Sequence, residues 1–251
     1  MNPYLQNLNR IEFLLTFACT GRCKHCSEGD HADAGAHMDG DIAADLVRKV
    51  AGAYTIHSLM TFGGEPLLYS DEVCKIHAAA RDMGIPERQL ITNGFFSRDE
   101  SEIARVANAL AENGVNNLLL SADAFHQETI PMTLVLSFAK AVYALGLPKF
   151  RVHPAWLVSA DADNPYNART REILAEFNAM GVPASGGNVI FPGGNALKYL
   201  SEYFDLSVPR VSPYAEDARD VKAICVIPTG EVLGGNVYKT DILEILARYE
   251  P

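Results

Sequence analysis

The chain has 251 residues, 48% of them hydrophobic, and its 31 acidic side chains outnumber 21 basic ones to give a formal charge of −10. That apolar content can fill a substantial core, commonly a single domain in an α/β barrel of this length, while the acidic balance argues against a general nucleic-acid binder, because phosphate binding draws on lysine and arginine. The N-terminus M-N-P-Y-L-Q-N-L-N-R has no basic flank leading into an apolar core, and no apolar run reaches membrane-spanning length, so a cytoplasmic protein with no membrane partner is expected.

Strand-like and helix-like segments then alternate. Residues 11–17 form an apolar run of strand length. A helix follows over 41–53, with Asp39 or Asp41 to cap it and Ile42, Leu46, Val47 and Val50 on one stripe. Residues 58–62 read as a second strand ending at a glycine pair, and 71–83 as a helix stopped by Gly84 and Pro86. A third strand over 89–92 turns at Asn93-Gly94, and a helix opened by Ser97 or Asp99 closes near Asn113-Gly114. Strand 117–121, helix 131–145, strand 150–158 and helix 168–180 continue the pattern, with a sixth strand expected at 188–191 and a helix starting near Asn195. Such alternation implies parallel pairing through right-handed crossovers. About six units are present, fewer than the eight of a closed barrel, and periodicity alone does not separate a partial barrel from a doubly wound sheet.

The chemistry is concentrated after the first strand, in F-A-C-T-G-R-C-K-H-C-S. Cys19, Cys23 and Cys26 there have the spacing C-x3-C-x2-C. Soft thiolates on one short loop suit an iron–sulfur cluster or zinc. Zinc would require a fourth ligand from His25, His31 or His37, whereas a cubane cluster held by three cysteines keeps one iron open. A disulfide framework belongs to small secreted chains and is not expected here.

The cysteine spacing after a first strand, followed by Gly63-Gly64-Glu65-Pro66 after the second, resembles the radical S-adenosylmethionine (SAM) superfamily. His25 stands where that family usually has an aromatic residue. The resemblance implies a partial, open (β/α)6 TIM-like barrel holding one [4Fe-4S] cluster on Cys19, Cys23 and Cys26, with SAM at the open iron. It also implies reductive cleavage of SAM to a 5′-deoxyadenosyl radical that abstracts hydrogen from a substrate, fed by a reductase, flavodoxin or ferredoxin. Gly63 and Gly64 would take the SAM amino group, with Glu65 and Pro66 shaping the turn. Ser121 and Asp123 resemble the S-x-D that meets the ribose or methionyl carboxylate, and Asn93 would be a further cofactor contact, although Asn-Gly is also an ordinary turn.

All of these groups follow strands, at the end where parallel α/β folds bind ligands. His126 and His153, near the same rim, are the candidate catalytic residues, with Arg151 and His153 on one face of their strand. The glycine-rich segment 186–195 is a further candidate for backbone contact with adenine or substrate. Residues 203–220 read as a long connection or lid. The stretch I-C-V-I-P-T-G-E-V-L-G-G-N-V-Y resembles the C-terminal extension of radical SAM peptide maturases (SPASM or twitch type), but Cys225 is its only cysteine, so no auxiliary cluster is expected. The organisation expected is a core over 1–205 and, over 206–251, a linker, short β-hairpin and helix. A peptide or small-molecule substrate is the favoured expectation. A glycyl-radical enzyme activase and a non-catalytic zinc or electron-transfer protein are the alternatives.

Overall fold

The computed structural model describes residues 2–29, 35–207 and 215–251; His31 and part of the 203–220 connection lie outside the described residues. Five βα units follow the expected alternation. They comprise β1 (Arg10–Leu14), α1 (Gly40–Ala53), β2 (Ser58–Phe62), α2 (Ser70–Asp82), β3 (Glu87–Thr92), α3 (Glu100–Glu112), β4 (Asn117–Leu120), α4 (Met132–Ala144), β5 (Lys149–Val152), β6 (Ala155–Trp156) and α5 (Pro165–Ala179). After them come β7 (Asn188–Val189), α6 (Gly194–Tyr199), β8 (Ala223–Val226), β9 (Glu231–Val232), β10 (Gly235–Asn236) and α7 (Ile242–Arg248).

The main sheet has six parallel strands in the order β5-β4-β3-β2-β1-β8. Strands one to five add in a single direction with no reversal. Right-handed crossovers then carry every helix to the same face, which is the arrangement of a partial barrel rather than a doubly wound sheet. On that face Ile11, Phe13, Leu59, Leu90, Leu118 and Leu120 are buried against the helices. The stripe of α1 is Ala43, Leu46, Val47 and Val50, with Asp39 accepting from the amides of Asp41 and Ile42. Ile42 is more than a third exposed, one position off the stripe assigned to it. Each of the buried aliphatic side chains contributes about 1.5–3 kcal/mol by leaving water.

Strand alternation sends the other set of side chains to the concave face. Polar groups prevail at its lower levels: Arg10 bonds to Glu12, Ser58 and Gln89, and Asn117 bonds to Glu87 and Arg151. Nearer the carboxyl ends the same face carries Phe62 and Ile91.

Three boundaries differ from the sequence expectation. The first strand stops at Leu14, and the chain crosses to a bridge between Thr16 and His37. The strand expected over 150–158 breaks into β5 and β6, because Pro154 has no amide hydrogen to continue the ladder. The sixth strand of the sheet is β8, in register with β1, while residues 188–189 pair with β6 in a separate two-stranded sheet. The C-terminal hairpin is accordingly β9 with β10, followed by α7.

Candidate active site

Loops at the carboxyl ends of β1 to β5 enclose a cavity of about 280 Å³. Cys19, Cys23 and Cys26 line it together with Gly63, Gly64, Asn93, Ser121, His126 and His153, and residues 188–191 close one side. The convergence that strand order suggested is therefore physical. Glu65, Pro66 and Asp123 are not in the lining.

The cysteine loop is held by its neighbours. The Glu65 amide donates to the Ala18 carbonyl at 2.7 Å. Its side chain, fully buried, accepts from the Leu67 amide at 2.9 Å, the Thr92 hydroxyl at 2.6 Å and the Asn93 amide at 2.8 Å. Glu65 thus ties the loops after β1, β2 and β3 into one unit. Burial pushes its carboxyl up to about 7, against the opposing pull of these three hydrogen bonds.

Gly63 and Gly64 have φ of +89° and +38°. A Cβ on Gly64 would stand 2.0 Å from the Ala18 carbonyl oxygen, and one on Gly63 would stand 2.5 Å from the Leu14 side chain. Both glycines therefore let the cysteine loop approach, a demand additional to the ligand contact foreseen for them. Asn93 points its amide at Cys19 Sγ, 3.6 Å away, and at the Thr20 hydroxyl at 3.2 Å.

Asn195, the last residue of the glycine-rich segment expected to contact adenine or substrate, instead fixes the far end of the cysteine loop. Its backbone amide donates to the Cys26 carbonyl at 2.9 Å, and its side chain donates to the carbonyls of Cys23 and Gly29. A Cβ on the preceding Gly194 would meet the Ser27 carbonyl oxygen at 2.4 Å. The Gly193-Gly194-Asn195 turn was visible in the sequence, but its target was not.

Asp123 is fully buried, and its oxygens are taken by the amides of Phe125, His126 and Ala155 and by His126 Nδ1 at 2.8 Å. It orients the imidazole that lines the cavity. Burial works against its charge, yet the contact with His126, aided by His25, holds its carboxyl below the ordinary range. The His25 ring lies 4.8 Å from that of His126, and its buried Nδ1 has no partner among the described residues. Burial, followed by the neighbouring His126, lowers His25 to about 4. His153 Nδ1 sits 2.7 Å from the Ser185 hydroxyl.

Burial raises all three thiols, Cys19 to about 11 and Cys23 further. A bound cation reverses that preference and stabilises thiolates. A single tetrahedral ion with metal–sulfur bonds of about 2.3 Å would hold its sulfurs within about 4 Å of one another. Among the described residues the ligand atoms gathered within 4.8 Å are those of Cys23, His25 and His126, not those of the three cysteines. Three thiols spread along one loop suit a larger, multinuclear centre. His37, one of the alternative zinc ligands, is stacked on Tyr69 with ring centroids 4.0 Å apart.

The family model for the radical SAM superfamily matches residues 13–147. Among curated proteins, the GTP 3′,8-cyclase of Clostridium perfringens (strain SM101 / Type A) is 27% identical over 148 residues, covering 57% of this chain and 44% of the relative. That of Limosilactobacillus fermentum is 30% identical over 121 residues, covering 47% and 34%. The chain spans less than half the length of these relatives. Among solved structures, Streptococcus suis SuiB bound to precursor peptide SuiA superposes with a TM-score of 0.61 at 11% identity, over 98% of this chain and 65% of that one. The structure of anSMEcpe with bound AdoMet gives 0.60 at 16% identity, over 95% and 80%. Identities this low establish a shared fold. With more than half its residues inside the family match, the chain belongs to the radical SAM superfamily, whose enzymes use a [4Fe-4S] cluster and SAM.

Proposed function

We propose that this enzyme generates a 5′-deoxyadenosyl radical and abstracts hydrogen from a peptide substrate. The observation that carries the reading is the convergence of three thiols from one loop with a glycine pair in one cavity, locked together by Glu65. Cys19, Cys23 and Cys26 would hold the cluster, and the backbone of Gly63 and Gly64 would receive the SAM amino group. When bound, the cluster and SAM supply a one-electron reductive cleavage of a sulfonium carbon–sulfur bond.

The chain's own residues provide position and exclusion. Asn93 and Asn195 fix opposite ends of the cysteine loop, and Ser121 offers a hydroxyl at the end of β4 for the ribose or carboxylate. Asp123 donates no group to the cavity in this reading. It accepts from His126 Nδ1 and so directs Nε2 of that ring inward as a proton acceptor or donor beside the substrate. His153 lies across the cavity. Support for a peptide substrate comes from two fold neighbours solved with peptides, SuiB with SuiA and anSMEcpe with Cp18Cys.

The test is anaerobic reconstitution with iron and sulfide, then dithionite and SAM. Formation of 5′-deoxyadenosine and methionine is expected. Their absence from a fully iron-loaded protein rejects the reading.

A further inference from the structure

We propose that the chain without its cluster binds a single zinc ion through Cys23, His25 and His126, a site that takes one of the three loop thiols and shares it with the cluster. The ligand atoms of these three residues lie within 4.8 Å of one another, and among the described residues no other set of three metal-ligating side chains gathers as closely. All three line the cavity. A tetrahedral zinc with sulfur at about 2.3 Å and nitrogen at about 2.0 Å places its ligand atoms about 3.3–3.6 Å apart, so closure contracts the set by no more than about 1.5 Å. Cys19 and Cys26 stand outside it. One thiolate and two imidazoles, with the fourth position left to the cavity, are the donors of a zinc centre and not of a cubane cluster.

The two loops that carry these ligands are tied to each other beside them. The Arg22 amide donates to the Thr129 hydroxyl at 3.1 Å, and Lys24 pairs with Glu128 at 2.9 Å. Residues 22 and 24 therefore hold the loop after β4, while the intervening and following residues, Cys23 and His25, bring their ligand atoms to His126. His126 already has the orientation of a ligand. Its Nδ1 lies 2.8 Å from Asp123 Oδ2, which leaves Nε2 for the metal, and Asp123 is itself fixed by the amides of Phe125, His126 and Ala155. A carboxylate behind a ligating imidazole sets its tautomer and raises its basicity. His25 brings a buried Nδ1 with no hydrogen-bond partner among the described residues, and its ring is held between those of Phe125 and His126, with centroids 5.1 Å and 4.8 Å away. A metal bond to that ring would offset hydration it has already lost. The charges balance as well, since one dication, the Cys23 thiolate and the buried Asp123 carboxylate sum to zero.

Zinc and cluster exclude one another, because Cys23 cannot serve both. This consequence rests on the cluster reading given above. The same ion would also occupy His126, so the zinc-loaded chain is a latent form that lacks both a cluster ligand and the imidazole facing the substrate.

The reduced, metal-free, full-length chain is titrated anaerobically with zinc against a chromophoric chelator, and in parallel with cobalt(II), whose tetrahedral d–d bands report the geometry. One equivalent is expected to bind. X-ray absorption at the zinc edge should give one sulfur and two imidazole nitrogens. The double variant carrying C19A and C26A should bind zinc as the wild type does, whereas H25F and H126Q should each weaken it at least about tenfold, with far-UV circular dichroism confirming the fold. No stoichiometric binding, a shell of three sulfurs, or affinity lost in the folded double variant and kept in H25F and H126Q overturns the site. Zinc-loaded protein should assemble no cluster until the zinc is chelated; a full cluster formed with zinc retained overturns it equally. Metal-free samples reconstituted with iron and sulfide and assayed for SAM cleavage test the cluster reading separately, so that either can fail without the other.

Discussion

Substituting Glu65 by glutamine separates the two roles of this side chain, acceptor and buried charge. In the folded protein its carboxyl is raised by burial from 4.5 to about 7, which corresponds to about 3 kcal/mol of preference for the protonated form. The sign follows from which state holds the proton. Below the unfolded value both states are protonated and the contribution is fully present; it is lost as pH rises through the folded value. About 2 kcal/mol of it falls between pH 5.5 and 8. Glu65→Gln does not titrate, and its NH2 faces one of the donors now accepted, at a cost of about 1–3 kcal/mol that does not vary with pH. The wild type should therefore lose about 2 kcal/mol relative to the variant between pH 5.5 and 8. Urea unfolding of the iron-free, reduced protein, followed by far-UV circular dichroism at both pH values, measures the difference directly. A stability gap constant within about 0.5 kcal/mol would show that Glu65 is not a desolvated carboxylate.

Cys23→Ala should abolish iron binding while the far-UV spectrum is unchanged, because Cys23 sits on the rim and contributes nothing to the helix-facing core. Gly64→Ala places a methyl on the Ala18 carbonyl at a φ of +38°; loss of iron retention and of SAM binding is expected by elemental analysis and equilibrium dialysis. Asp123→Ala leaves four donors without their acceptor and should destabilise the protein by about 3–5 kcal/mol in urea. Asn195→Ala should cost only about 1–2 kcal/mol of global stability yet slow cluster reconstitution, followed by absorbance near 400 nm.

The motif residues could be found in the sequence because their positions relative to strands are local facts. Cys19, Gly63 and Asn93 each follow a run of strand character, and parallel topology then delivers them to one rim. The use made of each acid was less accessible. Asp123 reads as a polar rim residue, but its fate depends on the Ala155 amide, 32 positions away, arriving to close it off. Glu65 likewise depends on Thr92. Strand β8 lies in the stretch expected to form a linker and short hairpin, yet it pairs with β1, since alternation encodes which side chains are buried and not which strand lies alongside. The interruption at Pro154 was the reverse case: the residue carried the information, and the apolar run around it obscured it.

The pairing of Arg10–Leu14 with Ala223–Val226 joins stretches more than two hundred positions apart. Until residues 223–226 have been made, one edge of the first strand, which leads directly into the cysteine loop, stays open. An open parallel edge is a template for intermolecular association. A truncation before Ala223 would therefore do more than trim an appendage: it would leave that edge permanently bare beside the cysteine loop, and aggregation together with failure to retain iron is the combined phenotype it should show.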